Sequence, residues 1–347
     1  MTVVGVAGAG TMGAGIAALA AAHFPTRLYD PSTEALRAAP PGPDLAHDLA
    51  ALSDCDLVVE AAPEDLAVKR ELFGRLAELV APDCVLATNT SSLSVTAIAA
   101  EISAPERVVG MHFFNPPARM RLVEVVAGAQ SGATAIATAR AAAEAMGKHV
   151  IEAADGPGFI VNRCNRPFSL EALRIVQEGA AAVEDVDAAC RRAGFRMGPF
   201  ALMDLVGIDV GFAVARSFYE QSFGEPRWRP SPLAARMVAA RRLGRKTGRG
   251  FYAYPPGPPR VAAAPSDPLD PIAERIVCQL VNEAQFALGE GVGTAEDIDA
   301  GMVLGLNHPR GPFAWGELLG RDRVVSVLAR LRETGGDAYR PAPLLRH

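Results

Sequence analysis

Residues 5–17 read "GVAGAGTMGAGIA". The run before it, "TVVGVAG" at 2–8, is short, apolar and rich in β-formers, and the run after it is helical in composition. Gly8, Gly10 and Gly13 stand at G-x-G-x-x-G spacing between the two. The first glycine permits a tight strand-to-helix turn, the second lets the backbone approach a pyrophosphate, and the third lets helix and strand pack closely. The new helix then presents the free N–H groups of Thr11, Met12 and Gly13, with its positive dipole end, to the phosphates. The spacing alone is weak evidence, but here a strand precedes it, a helix follows it, and Asp30 closes the next strand. A carboxylate at Asp30 can accept from both ribose hydroxyls and would repel a 2′-phosphate, so NAD is expected over NADP.

Working outward, β-rich and helical stretches take turns as far as residue 153. The strands read "TRLYD" (26–30), "CDLVVEAA" (55–62), "CVLATNT" (84–90), "RVVGMHF" (107–113), "RLVEVVAG" (121–128) and "HVIEA" (149–153), with helices at 11–22, 67–80 and 134–146. That alternation predicts a doubly wound, mostly parallel sheet covered on both faces, an α/β Rossmann-type domain over 1–154. "DGPGF" at 155–159 cannot continue a helix or strand and reads as a hinge.

Beyond the hinge the pattern is helical and repeats. "EGAAAVEDVDAACRRAGFRMGPFALMDLVG" from Glu178 and "EGVGTAEDIDAGMVLGLNHPRGPFAWGELLG" from Glu290 share Glu-Gly, Glu-Asp-(Val/Ile)-Asp and Gly-Pro-Phe-Ala in one order. Two all-α domains are expected, 158–254 and 270–347, joined by the proline-dense 255–271, which reads as a stiff, exposed linker.

Half of the 347 residues are hydrophobic and the net charge is −5, which argues against a nucleic-acid partner. The one basic cluster, "RRLGRKTGR" at 241–249, is short. Five scattered cysteines without a C-x-x-C suggest a reduced, cytoplasmic protein with neither disulfides nor a metal site. No apolar run is long enough to span a bilayer.

Two charged groups sit inside apolar runs: His112 in "VVGMHFFNPP" (108–117) and Glu124 in "LVEVV" (122–126). Either alone is costly to bury; on nearby strands they explain each other as a histidine–carboxylate pair, which fixes the tautomer and stabilises the imidazolium. An imidazole titrates near pH ~6.5, suited to taking and returning a proton.

"VVEAAPEDLAVKRELF", "TNTSSL", "GMHFFNPP", "LVEVV", "GPGFIVNR" and "KTGRGFYAY" occur in this order and cover nearly the whole chain. Together they resemble the L-3-hydroxyacyl-CoA dehydrogenases, and the doubled helical region resembles the longer members. The resemblance implies reversible oxidation of an L-3-hydroxyacyl-CoA to the 3-ketoacyl-CoA with NAD, in fatty-acid metabolism. It implies that His112 is the general base and Glu124 its partner, with Ser91 and Asn162 at the substrate oxygen. Asn115 would lie close to nicotinamide and substrate, while Glu64, Lys69, Asn89 and Lys246 would touch the cofactor or frame its pocket. Read without the resemblance, Ser91 could cap a helix, Lys69 and Lys246 could be solvated, and Glu64 could be a first-turn acid.

One departure is clear: only 24 residues, 31–54, join Asp30 to Cys55, where family members carry a helical hairpin over coenzyme A. That shortening keeps a related hydroxy-acid or sugar-acid dehydrogenase open, of the lambda-crystallin and L-gulonate dehydrogenase kind. A non-catalytic NAD-binding protein is the third reading. "SLEA" at 169–172 also departs from the family's Asn-Glu-Ala, and the second copy lacks the "GFIVNR" hinge, so it is expected to serve structure. The chain is expected as a monomer with an internal pseudo-dimer, or as a homodimer.

Overall fold

The computed structural model describes residues 2–258 and 269–346. The chain divides into two units, one ending at Phe159 and the other beginning at Ile160.

The first unit is one eight-stranded sheet with helices. Its strands are β1 (Val4–Ala7), β2 (Thr26–Tyr29), β3 (Asp44–Ala46), β4 (Leu57–Glu60), β5 (Val85–Thr88), β6 (Val108–Phe113), β7 (Leu122–Ala127) and β8 (His149–Ala154). Its helices are α1 (Thr11–Ala21), α2 (Thr33–Ala38), α3 (Leu66–Leu79), α4 (Val95–Ala99) and α5 (Ala133–Ala145). The sheet order is β3-β2-β1-β4-β5-β6-β7-β8. β1 to β6 pair in parallel, β7 runs antiparallel to β6, and β8 is parallel to β7. The order reverses between β1 and β4, which opens a crevice at the carboxyl ends of the strands. β1, β4 and β5 are buried at every residue, as strands covered on both faces must be. Val4, Val6, Ile16, Leu28, Val59, Val109 and Met111 belong to the core cluster beneath that crevice.

Between Asp30 and Cys55 the chain is not a bare connection. Ser32 accepts from the Ala35 N–H and starts α2, which runs for 6 residues. β3 then pairs beside β2, with Arg27 opposite Asp44. The expected strands and helices elsewhere are present, with ends that shift by a residue or two in either direction.

The second unit is helical: α6 (Val161–Cys164), α7 (Arg166–Gln177), α8 (Val183–Arg192), α9 (Pro199–Val206), α10 (Ile208–Gln221) and α11 (Pro232–Ala239), then α12 (Pro271–Gly289), α13 (Ala295–Leu306), α14 (Pro312–Leu319) and α15 (Arg321–Gly335). Asn165 interrupts α6 and α7, whereas α12 runs unbroken for 19 residues. Most of the proline-dense linker, 259–268, lies outside the described residues.

The Gly-Pro-Phe-Ala repeat has one physical cause at both places. Asp187 on α8 accepts from the Phe200 and Ala201 N–H groups that open α9. Asp299 on α13 accepts from Phe313 and Ala314, which open α14. A Cβ at Gly198 would lie 2.3 Å from the Asp187 carboxyl carbon, and one at Gly311 would lie 2.1 Å from that of Asp299. Glycine is what lets each carboxylate reach its helix start.

Candidate active site

His112 and Glu124 stand directly opposite each other in the antiparallel β6–β7 pair. Their side chains therefore share one face of the sheet. The imidazole Nδ1 lies 2.6 Å from a Glu124 carboxylate oxygen. Glu124 is fully buried and His112 is 6% exposed, so this is a desolvated pair. With Nδ1 committed to the carboxylate, Nε2 is the nitrogen left for proton exchange. Phe114 and Phe159 flank the ring at 4.6 and 6.0 Å between centroids and fix its plane.

Next to β6, the end of β5 is fastened by Asn89. Its side-chain oxygen accepts from the Phe113 N–H at 2.9 Å, and its own N–H donates to the Glu60 carbonyl. Glu64, ahead of α3, reaches the loop that follows β5. It accepts from the Thr90 hydroxyl at 2.6 Å and from the Ser91 and Ser92 N–H groups at 3.0 and 3.1 Å. Burial pushes the Glu64 carboxyl up, but the Thr90 hydroxyl, the Lys69 charge and the serine donors outweigh it and hold it below its ordinary value. Glu64 thus shapes the loop that carries Ser91.

Lys69 is 1% exposed. Its Nζ lies 2.7 Å from Glu60 and 3.4 Å from Glu64. Glu60 also accepts from the Ala62 N–H at 2.6 Å and the Thr88 hydroxyl at 2.7 Å. Sequence reasoning passed over Glu60. The signal was available: a carboxylate ending the apolar "LVVE" needs a partner as much as Glu124 does.

The glycine turn has the shape a pyrophosphate requires. Gly8 has φ +113°, and a Cβ there would lie 2.7 Å from the Ala61 carbonyl oxygen. A Cβ at Gly13 would lie 1.8 Å from the Gly8 carbonyl oxygen. Around Gly10 no atom stands within 4 Å of where a Cβ would be, so the backbone is open to close approach. Gly10 caps α1 with no side-chain bond, which leaves the first-turn N–H groups of Thr11, Met12 and Gly13 to a ligand. Asp30 is held in place: one oxygen accepts from Ala9 N–H and the other from Ser32 N–H, each at 2.7 Å. The residues present fit a dinucleotide.

The first unit therefore brings His112 and Glu124 together, gathers Glu64, Lys69, Asn89 and Ser91 at the ends of β4 and β5, and sets the glycines and Asp30 at the ends of β1 and β2. Asn115 lies two residues beyond the end of β6. Asn162 and Lys246 belong to the second unit. Asn162 lies on α6, and Lys246 is half-exposed with its Nζ 2.7 Å from Asp209. Among the described residues no helix is long and apolar enough to cross a membrane.

Family comparison agrees with this geometry. The model of the 3-hydroxyacyl-CoA dehydrogenase NAD-binding domain matches residues 3–41 and 44–156, and that of the C-terminal domain matches 158–254 and 272–347. A 3-hydroxyadipyl-CoA dehydrogenase of Escherichia coli (strain K12) is 36% identical, over 99% of this chain and 96% of its own. That alignment runs to 457 positions against the 347 of this chain, so the relative carries stretches absent here. The crystal structure of a 3-hydroxybutyryl-CoA dehydrogenase from E. coli K12 superposes with a TM-score of 0.93 at 35% identity, covering 99% of this chain and 97% of that one. The (S)-3-hydroxybutyryl-CoA dehydrogenase of Ralstonia eutropha, 35% identical, is covered over 99% of its length by only 73% of this chain, with a TM-score of 0.70. The chain belongs to the 3-hydroxyacyl-CoA dehydrogenase family and is an NAD-dependent oxidoreductase that oxidises the hydroxyl of a 3-hydroxyacyl-CoA.

Proposed function

We propose that His112 is the general base of this oxidation and Glu124 the group that orients it. The observation that carries the reading is the buried His112–Glu124 contact of 2.6 Å, opposite in register at the carboxyl end of β6. His112 Nε2 takes the proton from the C3 hydroxyl, and the imidazolium so formed is stabilised by the Glu124 carboxylate on Nδ1. NAD, held by the glycine turn and Asp30, would supply the acceptor for the hydride that leaves C3. In the reverse direction His112 returns the proton to the 3-keto oxygen. Ser91 and Asn162 hold that oxygen, and Asn115 borders nicotinamide and substrate. The first-turn N–H groups after Gly10 bind the pyrophosphate and Asp30 binds the ribose. Glu64, Lys69 and Asn89 act by shaping the pocket, and Lys246 contributes from the second unit.

The helical unit is read as two copies of one domain packed as an internal pseudo-dimer, so that a monomer suffices. The paired Asp187 and Asp299 caps support this, as does the match of one domain model to both stretches.

The assay is the oxidation of NADH by acetoacetyl-CoA, followed by absorbance. Turnover is expected with NADH and only weakly with NADPH. His112→Gln should lose about 10²–10⁴-fold in kcat, with a smaller loss for Glu124→Gln. Near-normal activity of His112→Gln would overturn the proton path, and a clear preference for NADPH would overturn the role of Asp30.

A further inference from the structure

In the second unit an arginine faces an apolar cavity without a counter-charge. Arg166 opens α7 and lines a cavity of about 110 Å³ among Leu170, Leu173, Met203 and Phe212. Its Nε donates to the Asn162 carbonyl at 3.1 Å, and its guanidinium carbon lies 5.3 Å from the centre of the Phe218 ring. Neither contact neutralises it, and among the described residues no carboxylate pairs with it. Burial accordingly pulls its pKa down to about 10.

The neighbouring arginines are handled differently. Arg163 meets Glu283 and Glu290, Arg174 meets Glu171, and Arg227 meets Glu283 and Glu225. The cavity of Arg166 has no acidic residue in its wall.

A second group is unsatisfied beside it. Asn165, 8% exposed, lines the same cavity, and its side-chain oxygen has no partner among the described residues. The amide can turn over and offer its N–H₂ group to the cavity. Ser169 adds a hydroxyl to the wall. Arginine with an amide and a hydroxyl, set in an apolar sleeve, is the chemistry that recognises a carboxylate at the end of a short methylene chain.

We propose that this cavity receives the far end of the acyl group and that Arg166 pairs there with a terminal carboxylate, so that the substrates are 3-hydroxy-dicarboxylyl-CoA thioesters. The proposal rests on the dehydrogenase reading, in which Asn162 holds the substrate oxygen one helical turn before Arg166. A cavity of about 110 Å³ suits the end of an acyl chain and not coenzyme A itself. A methyl-terminated chain would fill the apolar wall and leave the guanidinium desolvated and unpaired, which disfavours it.

The test compares kcat/KM for 3-hydroxyadipyl-CoA and 3-hydroxyhexanoyl-CoA, six-carbon acyl groups that differ only at C6. The full-length protein should favour the dicarboxylyl substrate by at least about tenfold. Arg166→Leu should cut the ratio of the two efficiencies by about ten- to a hundredfold, and Arg166→Lys should restore part of it. A ratio near one in the unaltered protein overturns the proposal, and needs no variant to fold. So does a loss in Arg166→Leu that is equal for both substrates, which would place the arginine on a phosphate of coenzyme A. Equal turnover of both substrates strikes this subsite alone; turnover of neither strikes the dehydrogenase reading with it.

Discussion

At the scale of single residues, the most informative side chain outside the proton path is Lys69. An ammonium with 1% exposure survives only with partners, and Glu60 supplies one that is itself fully buried. Through Glu60 the lysine also reaches Thr88, so the ion pair joins the ends of β4 and β5 beneath the cofactor pocket. Lys69→Met should leave Glu60 buried without its cation and cost about 3–5 kcal/mol in urea unfolding. Adding Glu60→Gln should recover much of that loss, and NADH affinity with it, because the pair is removed together. A loss of NADH affinity that the double variant does not recover would mean that Lys69 touches the cofactor directly. His112 and Glu124 were legible in the sequence because both interrupt apolar strands. Glu60 interrupts one too, but its partner lies on a helix, where lysine is ordinary, and nothing in the one-dimensional pattern points from one to the other.

At the scale of elements, the β1–α1 turn separates two kinds of glycine that the motif writes alike. Gly13 is required by packing and Gly10 by ligand approach. Gly13→Ala would drive a methyl to 1.8 Å from the Gly8 carbonyl oxygen, so the start of α1 must move off β1. Both the melting temperature and NADH affinity should fall. Gly10→Ala meets no atom within 4 Å and should melt like the unaltered protein, yet its methyl stands in the path of the pyrophosphate. NADH titration should show about a tenfold or greater loss for Gly10→Ala without a thermal shift; a matching thermal loss would show that Gly10 serves packing as well. The turn, the strand alternation and Asp30 could all be read from the sequence, because each imposes a residue type at a fixed spacing. β3 could not. Its 3 residues, Asp44–Ala46, are largely exposed and include no β-branched side chain, and their place is set by pairing with β2 and not by local preference.

At the scale of the molecule, the second unit is held by charge pairs between its early and late helices. Arg163 reaches Glu283, Arg192 reaches Asp270, Arg275 reaches Glu171 and Glu178, and Arg340 reaches Glu225. The repeat in the sequence announces two similar halves, and two of these contacts follow it. Arg163 meets Glu283 and Glu290, and Arg275, its counterpart in the second copy, meets Glu171 and Glu178, theirs in the first. The Arg192–Asp270 and Arg340–Glu225 pairs have no such counterpart and could not be read from it. Glu225 offers the cleanest measurement. Arg340 grips both its oxygens at 2.7 Å, and Arg227 lies 3.2 Å away. Burial pushes this carboxyl up, but the two guanidinium groups prevail and bring its pKa down to about 2. A carboxyl depressed in the folded state contributes stability above its unfolded value near 4.5, and loses it as the pH falls toward 2. Glu225→Gln should therefore be less stable by about 1–3 kcal/mol at pH 7, allowing for partial solvent screening. The difference between the two proteins should shrink steadily below pH ~4.5, because protonation removes from the unaltered chain what the substitution removed from the variant. Comparing the pair at each pH cancels the opposing contribution of Asp187, which burial pushes up to about 6. Urea unfolding of the full-length chain at several pH values reads this directly, and a difference that stays constant down to pH ~3 would show that the Arg340–Glu225 pair does not join the two ends of the unit.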